Sequence, residues 1–442
     1  MKAIVVGAGL SGITAAWRLK KAGWAVQVIE SGDRIGGRVQ TVAKQGYLID
    51  TGASAMTSSY HAYLALADDA GLRGEVVLAN QCVGFVRDNR VHEFNTRHIM
   101  RSGLFTGLLS LRSKFGLARL FIDVFRARAQ GLLDYNDLSK AAALDTESAA
   151  DYAVREFNRE INDYFCDPVV RVMLLANGDK VSKVEFFSGV ANVFDAELCS
   201  MRGGQQRFVE ALANGLDVTL NSTVSRVRDV DNHVEVTWRN AHGAPSEQTE
   251  RADVCVVACP LPLATAICAD YRALLQPLNE SLSYTRAISV AIGTTALPAT
   301  KAMVVDIPSC EDRNIAALFL EHNKCADRAP AGHALFTAYL EAAATESLWQ
   351  TDDEAIVQQT LAYILRLFPN LSGKVDMTHV TRWPCALPLT KIGSYQAIGR
   401  LNAQLDHKAR IQFAGDYLSC AGQNTAVEFG TRAARNIIDN HH

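Results

Sequence analysis

The stretch AIVVGAGLSGITAAWRLKKAGWAVQVIE, residues 3–30, decides the fold. It begins with a short β-branched strand, Ala3 to Val6, passes through closely spaced glycines and continues in a helical pattern. A second strand, Trp24 to Ile29, follows the helix and ends at Glu30. A GxGxxG motif alone is weak, but the strand before it and the helix and strand after it predict a nucleotide-binding βαβ unit.

Each glycine of this motif has a physical role in such a unit. Gly7 permits the tight turn, Gly9 lets the backbone approach a pyrophosphate, and Gly12 lets the helix pack closely against the sheet. Leu10 and Ser11 lie between them at the helix N-terminus, where unpaired N–H groups and a positive dipole end attract phosphates. We predict that these five residues bind the cofactor.

Glu30 stands at the carboxyl end of the second strand, where a carboxylate can accept hydrogen bonds from both ribose hydroxyls. A 2′-phosphate would be repelled by this carboxylate, which disfavours NADP. NAD and FAD are both compatible with the residues up to this point.

Gly36-Gly37-Arg38 extends the run to GxGxxGxxxAxxLxxxGxxVxxxExxxxxGGR. This pattern resembles the FAD signature of the large family that contains monoamine oxidases, protoporphyrinogen oxidases, phytoene desaturases and L-amino-acid oxidases. The resemblance implies an α/β fold, with a Rossmann-type FAD-binding domain like that of glutathione reductase and an interleaved α+β substrate domain. It also implies that Gly36 and Gly37 lie along the pyrophosphate and ribitol, that Arg38 adds a cation near the phosphates, and that Gly52 and Ala53 contact FAD. A Rossmann unit for another nucleotide is the alternative.

Two later stretches resemble the segments with which this family returns to its FAD domain. In the first, Met201 to Gly204 and a helix expected from Phe208 to Leu216 resemble the family's glycine-pair helix. Val218 to Leu220 and Thr223–Val224 are then expected to form a strand pair. The resemblance places the backbone of Val224 against adenine.

The second return is the sequence FAGD, which ends at Asp416 and resembles the second flavin motif of the family. The resemblance implies that Gly415 and Asp416 contact the cofactor and that Asp416 holds a ribitol hydroxyl. Thr425 and Glu428 predict a capping box, which aims the helix N-terminus, near Ala426, at the pyrimidine edge of the isoalloxazine ring. The positive dipole end would stabilise negative charge on that edge.

These returns divide the chain into two interleaved domains, as its length of 442 residues allows. We predict that residues 1–80, 200–262 and 378–442 form the FAD-binding domain. The substrate-binding domain then comprises residues 81–199 and 263–377.

The substrate half contains no second GxGxxG, so a separate nicotinamide site is not expected. Electrons would enter from a small-molecule substrate and leave to oxygen or another acceptor. Amine oxidases of the family place an aromatic residue before the last helix, where this chain has Ala421-Gly422-Gln423. The loop up to Gly422 and the stretch Val380 to Pro388 look closer to the protoporphyrinogen oxidase and phytoene desaturase branch. That resemblance places Trp383 near the flavin and Lys391 near the pocket mouth; ordinary core packing is the other interpretation of Trp383.

Residues 101–130 combine apolar and basic side chains with a single acid, Asp123. A basic, strongly apolar helix can lie on an anionic membrane surface or guard the entrance for an apolar substrate. An ordinary amphipathic helix with a solvated positive face is the alternative. The apolar side chains are Leu104, Phe105, Leu108, Leu109, Leu111, Phe115, Leu117, Leu120, Phe121, Ile122, Val124 and Phe125, and the basic ones are Arg101, Arg112, Lys114, Arg119, Arg126 and Arg128.

Composition argues against several other classes of protein. A formal net charge of -3 is unlike that of a general nucleic-acid binder, and the ten cysteines show neither a disulfide framework nor a CxxC pair. The sequence contains no metal motif, nucleophile elbow or P-loop, so no metal is expected. Glycines interrupt the apolar N-terminus and basic residues follow it, which predicts a cytoplasmic protein, free or at the inner face of a membrane.

The catalytic residues stay open at this level. Hydride removal mainly needs a C–H or N–H bond held against the flavin, so positioning can dominate; His98, His333 and Arg97 are candidates by residue type alone. We expect an FAD-dependent oxidase or dehydrogenase for a largely apolar small molecule, nearest the protoporphyrinogen oxidase and phytoene desaturase branch. An amine or L-amino-acid oxidase is the second hypothesis. A non-redox binding protein of the GDP-dissociation-inhibitor type is the third.

Overall fold

The computed structural model describes residues 1–193, 196–241 and 247–441, and for residues 99, 100 and 104 it describes the backbone alone. In chain order the strands are β1 (Lys2–Val6), β2 (Ala25–Ile29), β3 (Thr41–Lys44), β4 (Tyr47–Asp50), β5 (Met56–Thr57), β6 (Val76–Leu78), β7 (Cys82–Arg87), β8 (Arg90–Asn95), β9 (Leu198–Met201), β10 (Asp217–Thr219), β11 (Ser222–Val230), β12 (His233–Asn240), β13 (Gln248–Ala252), β14 (Val254–Val257), β15 (Leu282–Tyr284), β16 (Ala287–Thr294), β17 (Val304–Asp306), β18 (Ile315–Leu320), β19 (Ala334–Leu340), β20 (Val375–Trp383), β21 (Pro388–Thr390) and β22 (Ile411–Phe413). The α-helices are α1 (Leu10–Lys21), α2 (His61–Asp69), α3 (Ile99–Phe105), α4 (Leu111–Ala129), α5 (Ala149–Glu156), α6 (Arg159–Ile161), α7 (Asp167–Leu174), α8 (Lys183–Val193), α9 (Gln206–Ala213), α10 (Leu261–Ile267), α11 (Arg272–Ser281), α12 (Ala342–Leu348), α13 (Asp353–Leu367), α14 (Ser394–Gln404) and α15 (Gln423–Asn440).

The first large sheet is parallel and has the strand order β10-β2-β1-β14-β22. Its central strands β1 and β14 are almost completely buried, as expected for a parallel sheet covered on both faces. Helix α1 follows the glycine turn directly and ends at Lys21, and Gly23 then adopts a left-handed conformation with φ 89°. The predicted βαβ unit and the Rossmann-type α/β fold class are confirmed.

The strand pair expected between residues 218 and 224 is wrong in its pairing. Strand β10 joins the parallel sheet beside β2, with Val218 opposite Val28. Strand β11 instead pairs with β12 in a separate sheet of order β11-β12-β13. Asn221 lies between β10 and β11 with φ 52°, and this left-handed turn takes the chain out of the parallel sheet.

The second large sheet has the order β20-β16-β19-β18-β17-β7-β8. Its pairs are antiparallel except that of β17 with β7. Strand β20 pairs with β16 as far as Trp383, which lies opposite Ala287. Residues 378–383 were predicted to open the last segment of the FAD-binding domain. They belong to the second large sheet, because the strand that begins at Val375 runs through the expected border. The rest of the domain division stays a prediction.

The segment that follows β4 is bonded to the second large sheet. On the second sheet, the Ser289 hydroxyl donates a hydrogen bond to the carbonyl of Thr51 (2.8 Å), and the Tyr339 hydroxyl donates to the carbonyl of Gly52 (2.7 Å). Ser289 and Tyr339 are both buried. The backbone of residues 51–52 is therefore fixed against β16 and β19.

A layer of helices packs beside the second sheet. Helix α4 packs against α8, and α7 packs against α8 and β18. The buried side of α4 includes Leu120 and Val124. Among the residues that the structure describes, no helix is long and apolar enough to cross a membrane.

Candidate functional site

The three glycines of the first turn have different surroundings. Gly7 has φ 102°, and a Cβ atom there would lie 3.0 Å from the carbonyl oxygen of Ala258. A Cβ atom on Gly12 would lie 2.0 Å from the carbonyl oxygen of Gly7. A Cβ atom on Gly9 would have no protein atom within 4 Å. Gly7 and Gly12 are therefore required by the packing of the turn, whereas Gly9 borders open space, which fits a pyrophosphate lying against the backbone.

The second glycine pair lies beside the first turn. Gly9 and Gly36 form a parallel β-bridge, and the Gly36 N–H donates to the carbonyl of Ala8 (2.8 Å). A Cβ atom on Gly37, which has φ 55°, would lie 3.1 Å from the Cα atom of Gly9. Arg34, which the sequence analysis missed, fixes this loop by donating to the carbonyl of Gly37 (2.7 Å). Two glycine loops thus form one continuous backbone surface.

Glu30 is held at the end of β2 by backbone groups. Its carboxylate accepts hydrogen bonds from the N–H groups of Ala8 (2.6 Å) and Gly32 (2.7 Å). A carboxylate has about four lone-pair sites, so these bonds leave capacity for sugar hydroxyls. The Ser222 N–H donates to the Glu30 carbonyl (2.7 Å), which brings the start of β11, with the buried Val224, to the same edge of the sheet.

Arg38 and Asp416 form a two-pronged ion pair. The two terminal guanidinium nitrogens of Arg38, Nη1 and Nη2, donate to the Asp416 carboxylate at 2.8 Å, and Nη1 also donates to the carbonyl of Ala386 (2.8 Å). Burial lowers the pKa of Arg38, but the charge of Asp416 and the hydrogen bonds to its carboxylate, together with smaller contributions from Tyr284 and Cys385, outweigh this effect, so the net direction is upward. The pair joins two predicted cofactor residues that are far apart in sequence. The roles expected for them, at the phosphates and at a ribitol hydroxyl, stay predictions.

The capping box expected at the last helix is wrong. Helix α15 begins at Gln423, after Gly422, and no side chain caps it. Thr425 is buried within the first turn, and the Ala426 N–H already donates to the Gly422 carbonyl (3.1 Å). The unpaired N–H groups of the helix start are therefore those of residues 423–425, one turn before the expected position.

Asn424 explains why α15 starts early. Its side-chain oxygen accepts from the Tyr63 N–H in α2 (3.1 Å), and its amide nitrogen donates to the Asn136 side chain (3.0 Å). Asn424 is fully buried, so these bonds fix the first turn to two neighbouring segments. Glu428, the other expected capping residue, instead accepts from the Arg432 side chain one turn further on (2.7 Å).

The N-terminal and C-terminal helices of this site are in contact. The Ser11 hydroxyl in α1 donates to the carbonyl of Ala426 in α15 (2.6 Å). A Cβ atom on Gly430 would lie 2.3 Å from the carbonyl oxygen of Ser11. The backbones of α1 and α15 therefore approach closely, which brings the glycine turn and the start of α15 to the same groove.

Trp383 borders the predicted cofactor residue Gly52. A Cβ atom on Gly52 would lie 3.1 Å from the Trp383 ring and 2.1 Å from the carbonyl oxygen of Arg38. The Trp383 Nε1–H donates to the carbonyl of Thr51 (2.8 Å), and the Ala53 N–H donates to the carbonyl of Arg38 (3.0 Å). Trp383 therefore has a packing role beside Gly52, and its place near the flavin stays a prediction.

Lys391 is exposed in the loop between β21 and α14. In the described part of the chain, the Lys391 side chain makes no hydrogen bond or ion pair with Trp383 or with the glycine loops. The structure therefore does not bring the two expected substrate residues together, and the place of Lys391 at a pocket mouth stays a prediction.

An apolar cluster lies between the second sheet and Gly52. Tyr339, which hydrogen-bonds to the Gly52 carbonyl, belongs to it, and Trp383 packs against it. Five of its buried members are alanines, so its side chains are small as well as apolar. We call it the apolar cluster; its buried members are Ala79, Leu175, Leu198, Ala287, Met303, Val304, Ala316, Ala317, Phe319, Tyr339 and Ala386.

A buried charge cluster lies behind this region, and the sequence analysis missed it. Asp50, Lys324 and Arg328 have fully buried side chains, as has Glu321. Arg328 contacts Asp50 at 3.0 Å, Lys324 contacts Glu321 at 2.6 Å, and Lys324 donates to the Ser54 hydroxyl (2.6 Å). Burial raises the pKa of Asp50, but Arg328 and Lys324 outweigh it and lower the pKa overall. Two acids and two bases thus balance in this buried cluster.

A tyrosine pair, also missed, flanks the start of α15. The rings of Tyr60 and Tyr135 lie 5.4 Å apart, tilted by 30°. A Cβ atom on Gly422 would lie 3.2 Å from the Tyr135 hydroxyl. The space beside Gly422, where amine oxidases are expected to carry an aromatic residue, is thus bordered by an aromatic ring from another part of the chain.

The other candidate residues have surface partners. Arg97 forms an exposed ion pair with Glu197 (2.5 Å), and His333 lies 3.6 Å from Asp376. His98 is exposed. None of the contacts described for these three residues reaches the glycine loops or the apolar cluster, so no catalytic acid or base is assigned.

Comparison with known proteins agrees with this architecture. The family model of flavin-containing amine oxidoreductases matches residues 10–438. The chain is similar to coproporphyrinogen III oxidase from Bacillus subtilis (strain 168), with 23% identity over 435 residues, 91% of this chain and 90% of that protein. It is also similar to protoporphyrinogen oxidase 2 from Arabidopsis thaliana, with 31% identity over 191 residues, 43% of this chain and 35% of that protein.

A solved structure shows the same fold. Cyclohexylamine oxidase from Brevibacterium oxydans IH-35A has a TM-score of 0.77 at 18% identity, covering 99% of this chain and 98% of that one. The family match extends over nearly the whole chain, so the protein is an oxidoreductase whose cofactor is FAD, and the non-redox hypothesis is not supported. The chain belongs to the family of flavin-containing amine oxidoreductases.

Proposed function

We propose that the protein removes hydride from a largely apolar small molecule of the porphyrinogen type and passes the electrons to oxygen or another acceptor. The observation that carries this proposal is the apolar character of the region beside Gly52, where the buried apolar cluster is edged by the partly exposed side chains of Trp383 and Leu387. The charged side chains behind it are paired with each other. The similarity to a coproporphyrinogen III oxidase over 91% of the chain supports the same substrate class.

The groove residues fit FAD in the following proposed arrangement. The turn with Gly9 and the helix start at Leu10 to Gly12 hold the pyrophosphate, because the backbone at Gly9 faces open space and the helix start offers unpaired N–H groups. Glu30 binds the ribose, and Arg38 and Asp416 hold the middle of the cofactor. The N–H groups of residues 423–425 face the pyrimidine edge. When bound, FAD supplies the two-electron acceptor.

In this arrangement the protein contributes mainly position. Tyr339 and Trp383 hold the backbone of residues 51–52 through hydrogen bonds to its carbonyls, so the wall beside the reacting bond is rigid. The apolar cluster excludes water and holds the substrate C–H bond in place. Because orientation alone can lower the barrier greatly, the hydride transfer itself needs no acid or base at this wall, and the N–H proton that the substrate then loses passes to bulk solvent.

The test is anaerobic reduction of the FAD-loaded protein by a panel of porphyrinogens, polyenes, amines and amino acids, followed by loss of the flavin absorbance. We expect porphyrinogens to bleach the flavin fastest and oxygen to restore its colour. Bleaching by amines or amino acids alone would contradict the proposal.

Amine oxidation is the second candidate, and the tyrosine pair is the observation that favours it. Tyr60 and Tyr135 supply aromatic rings beside Gly422, where amine oxidases of the family are expected to guide an amine. If amines reduce the flavin, Tyr135→Leu should slow that reduction at least tenfold, whereas Tyr135→Phe should retain most of it. Equal rates for the two variants would exclude a guiding role for this ring.

A further inference from the structure

Helix α4 has two apolar faces. One face, with Leu120 and Val124, is buried. On the other, Leu111, Phe115 and Ile122 are 70%, 80% and 50% exposed. At about 100° per residue, the second face lies opposite the first. We call it the exposed stripe; it comprises Leu111, Phe115, Ala118, Ile122 and Phe125.

Exposed large apolar side chains are concentrated at this helix. Of the eleven in the described part of the chain, five lie between residues 105 and 125. Phe105, at the end of α3, is 78% exposed. The side chain of Leu104 lies outside the described residues. A contiguous exposed apolar surface of this kind marks an interaction site rather than ordinary solvent contact.

Basic residues border the exposed stripe. Arg112, Arg119 and Arg126 recur every seven residues, so they lie along one edge of it, and all three are exposed. Arg128 is exposed towards the other edge. The only acid of α4, Asp123, accepts a hydrogen bond from the Tyr152 hydroxyl (2.8 Å) and lies 4.0 Å from Arg119, which also contacts Glu156 (2.5 Å). Arg119 is therefore already paired with acids, and Arg112, Arg126 and Arg128 carry the charge that this surface offers to a partner.

We propose that α4 binds the surface of an anionic lipid bilayer, with the exposed stripe in the acyl-chain boundary and the arginines at the headgroups. The charge pattern selects this partner. A second copy of the chain would bring arginine rows of like charge together, whereas anionic headgroups complement them. This surface is separate from the cofactor groove, and the proposal does not depend on the identity of the substrate.

Vesicle sedimentation with the full-length, FAD-loaded protein tests the proposal. We expect binding to phosphatidylglycerol–phosphatidylcholine vesicles, at least tenfold weaker binding to pure phosphatidylcholine, and a further decrease at high salt. Failure to bind anionic vesicles would overturn the proposal, as would equal binding to both vesicle types.

Variants separate the apolar and ionic contributions. Phe115→Ser with Ile122→Ser, and separately Arg112→Glu with Arg126→Glu, should each weaken vesicle binding at least tenfold. Matched controls alter exposed positions elsewhere, Leu297→Ser and Arg272→Glu, and should bind like the parent protein. Because all six side chains are exposed, the fold and flavin content should not change. Equal loss of binding in the controls, or light scattering that shows a dimer dissociated by the stripe variants, would refute the assignment.

Discussion

At the scale of single residues, Gly9 and Gly12 show how one motif combines two requirements. Both glycines are fixed positions of the GxGxxG motif. A side chain at Gly12 would collide with the Gly7 carbonyl, whereas one at Gly9 would enter open space. Gly12 is therefore needed for folding, and Gly9 is available for ligand contact. Only the folded backbone separates these two roles.

Gly9→Ala should leave the protein folded and weaken FAD binding at least tenfold. The added methyl meets no protein atom, but it occupies the surface proposed for the pyrophosphate. Fluorescence titration of the apoprotein with FAD measures the affinity, and thermal unfolding of the apoprotein checks the fold. Gly74→Ala, at another glycine without close neighbours, is the control. Unchanged FAD affinity in Gly9→Ala would move the pyrophosphate elsewhere.

Asp50→Asn should destabilise the protein by about 3–5 kcal/mol, because it leaves Arg328 and Lys324 buried without a full counter-charge. The pKa of Asp50 is lower in the folded protein than in the unfolded chain, where it is about 3.9. The Asp50 carboxylate therefore stabilises the folded state fully above the unfolded pKa, and this stabilisation is lost as pH falls through the folded pKa. Urea unfolding should therefore show a large difference between parent and variant at pH 7 that shrinks below about pH 4. The exposed change Asp179→Asn should cost almost nothing at either pH.

His322 should make stability depend on pH in a separate range. Burial lowers its pKa to about 4, so the neutral ring contributes stability that is complete above the unfolded value of about 6.5 and is lost as pH falls towards 4. We expect the parent protein to lose on the order of 2–3 kcal/mol more than His322→Gln between pH 7 and pH 4. The exposed change His61→Gln should leave the slope of the parent unchanged. Parallel slopes for parent and His322→Gln would contradict this role.

At the scale of elements, the close approach of α1 and α15 depends on Gly430. A methyl group there would lie 2.3 Å from the Ser11 carbonyl oxygen, so the helices would have to separate. Gly430→Ala should cost about 1–3 kcal/mol and should also weaken FAD binding, because α1 carries the glycine turn. Arg435→Ala, on the exposed side of α15, should change neither the stability nor the affinity for FAD. Lost stability with unchanged FAD affinity would show that the contact is structural only.

Sequence patterns predicted elements best where local chemistry decides the conformation. The βαβ unit at the N-terminus follows from periodicity and glycine spacing. The start of α15 was misplaced because the buried side chain of Asn424, which bonds to residues from other parts of the chain, decides it. The pairing of β10 was misplaced for a related reason: β2, its neighbour in the sheet, is distant in sequence.

At the scale of the whole molecule, the proposed FAD site is formed by segments from both ends and the middle of the chain. The family resemblance anticipated these returns, but the buried charge cluster and the tyrosine pair could not be predicted, since each joins residues from separate segments. Charged residues such as Lys324 and Arg328 are usually exposed, so nothing in the local sequence marks them as buried. Local sequence patterns do not show which residues from distant segments contact each other.

Removal of FAD should lower the stability of the entire protein rather than of one segment. Because the cofactor binds only the assembled groove, free FAD at 100 times its dissociation constant should add about 2.7 kcal/mol. Thermal unfolding of apoprotein at increasing FAD concentration should show a melting temperature that rises with the logarithm of the concentration. ADP should give a smaller rise, since it occupies the glycine turn alone. A melting temperature that does not respond to FAD would contradict a groove built from distant segments.

The position of β22 and α15 in the sequence has a consequence for biosynthesis. Strand β22 completes the edge of the parallel sheet beside β14, and α15 then contacts the glycine turn, yet both are synthesised long after that turn. A nascent chain therefore cannot enclose the flavin until synthesis has passed α15. We expect a ribosome-bound chain that stops before β22 to bind FAD far more weakly than one that extends beyond α15.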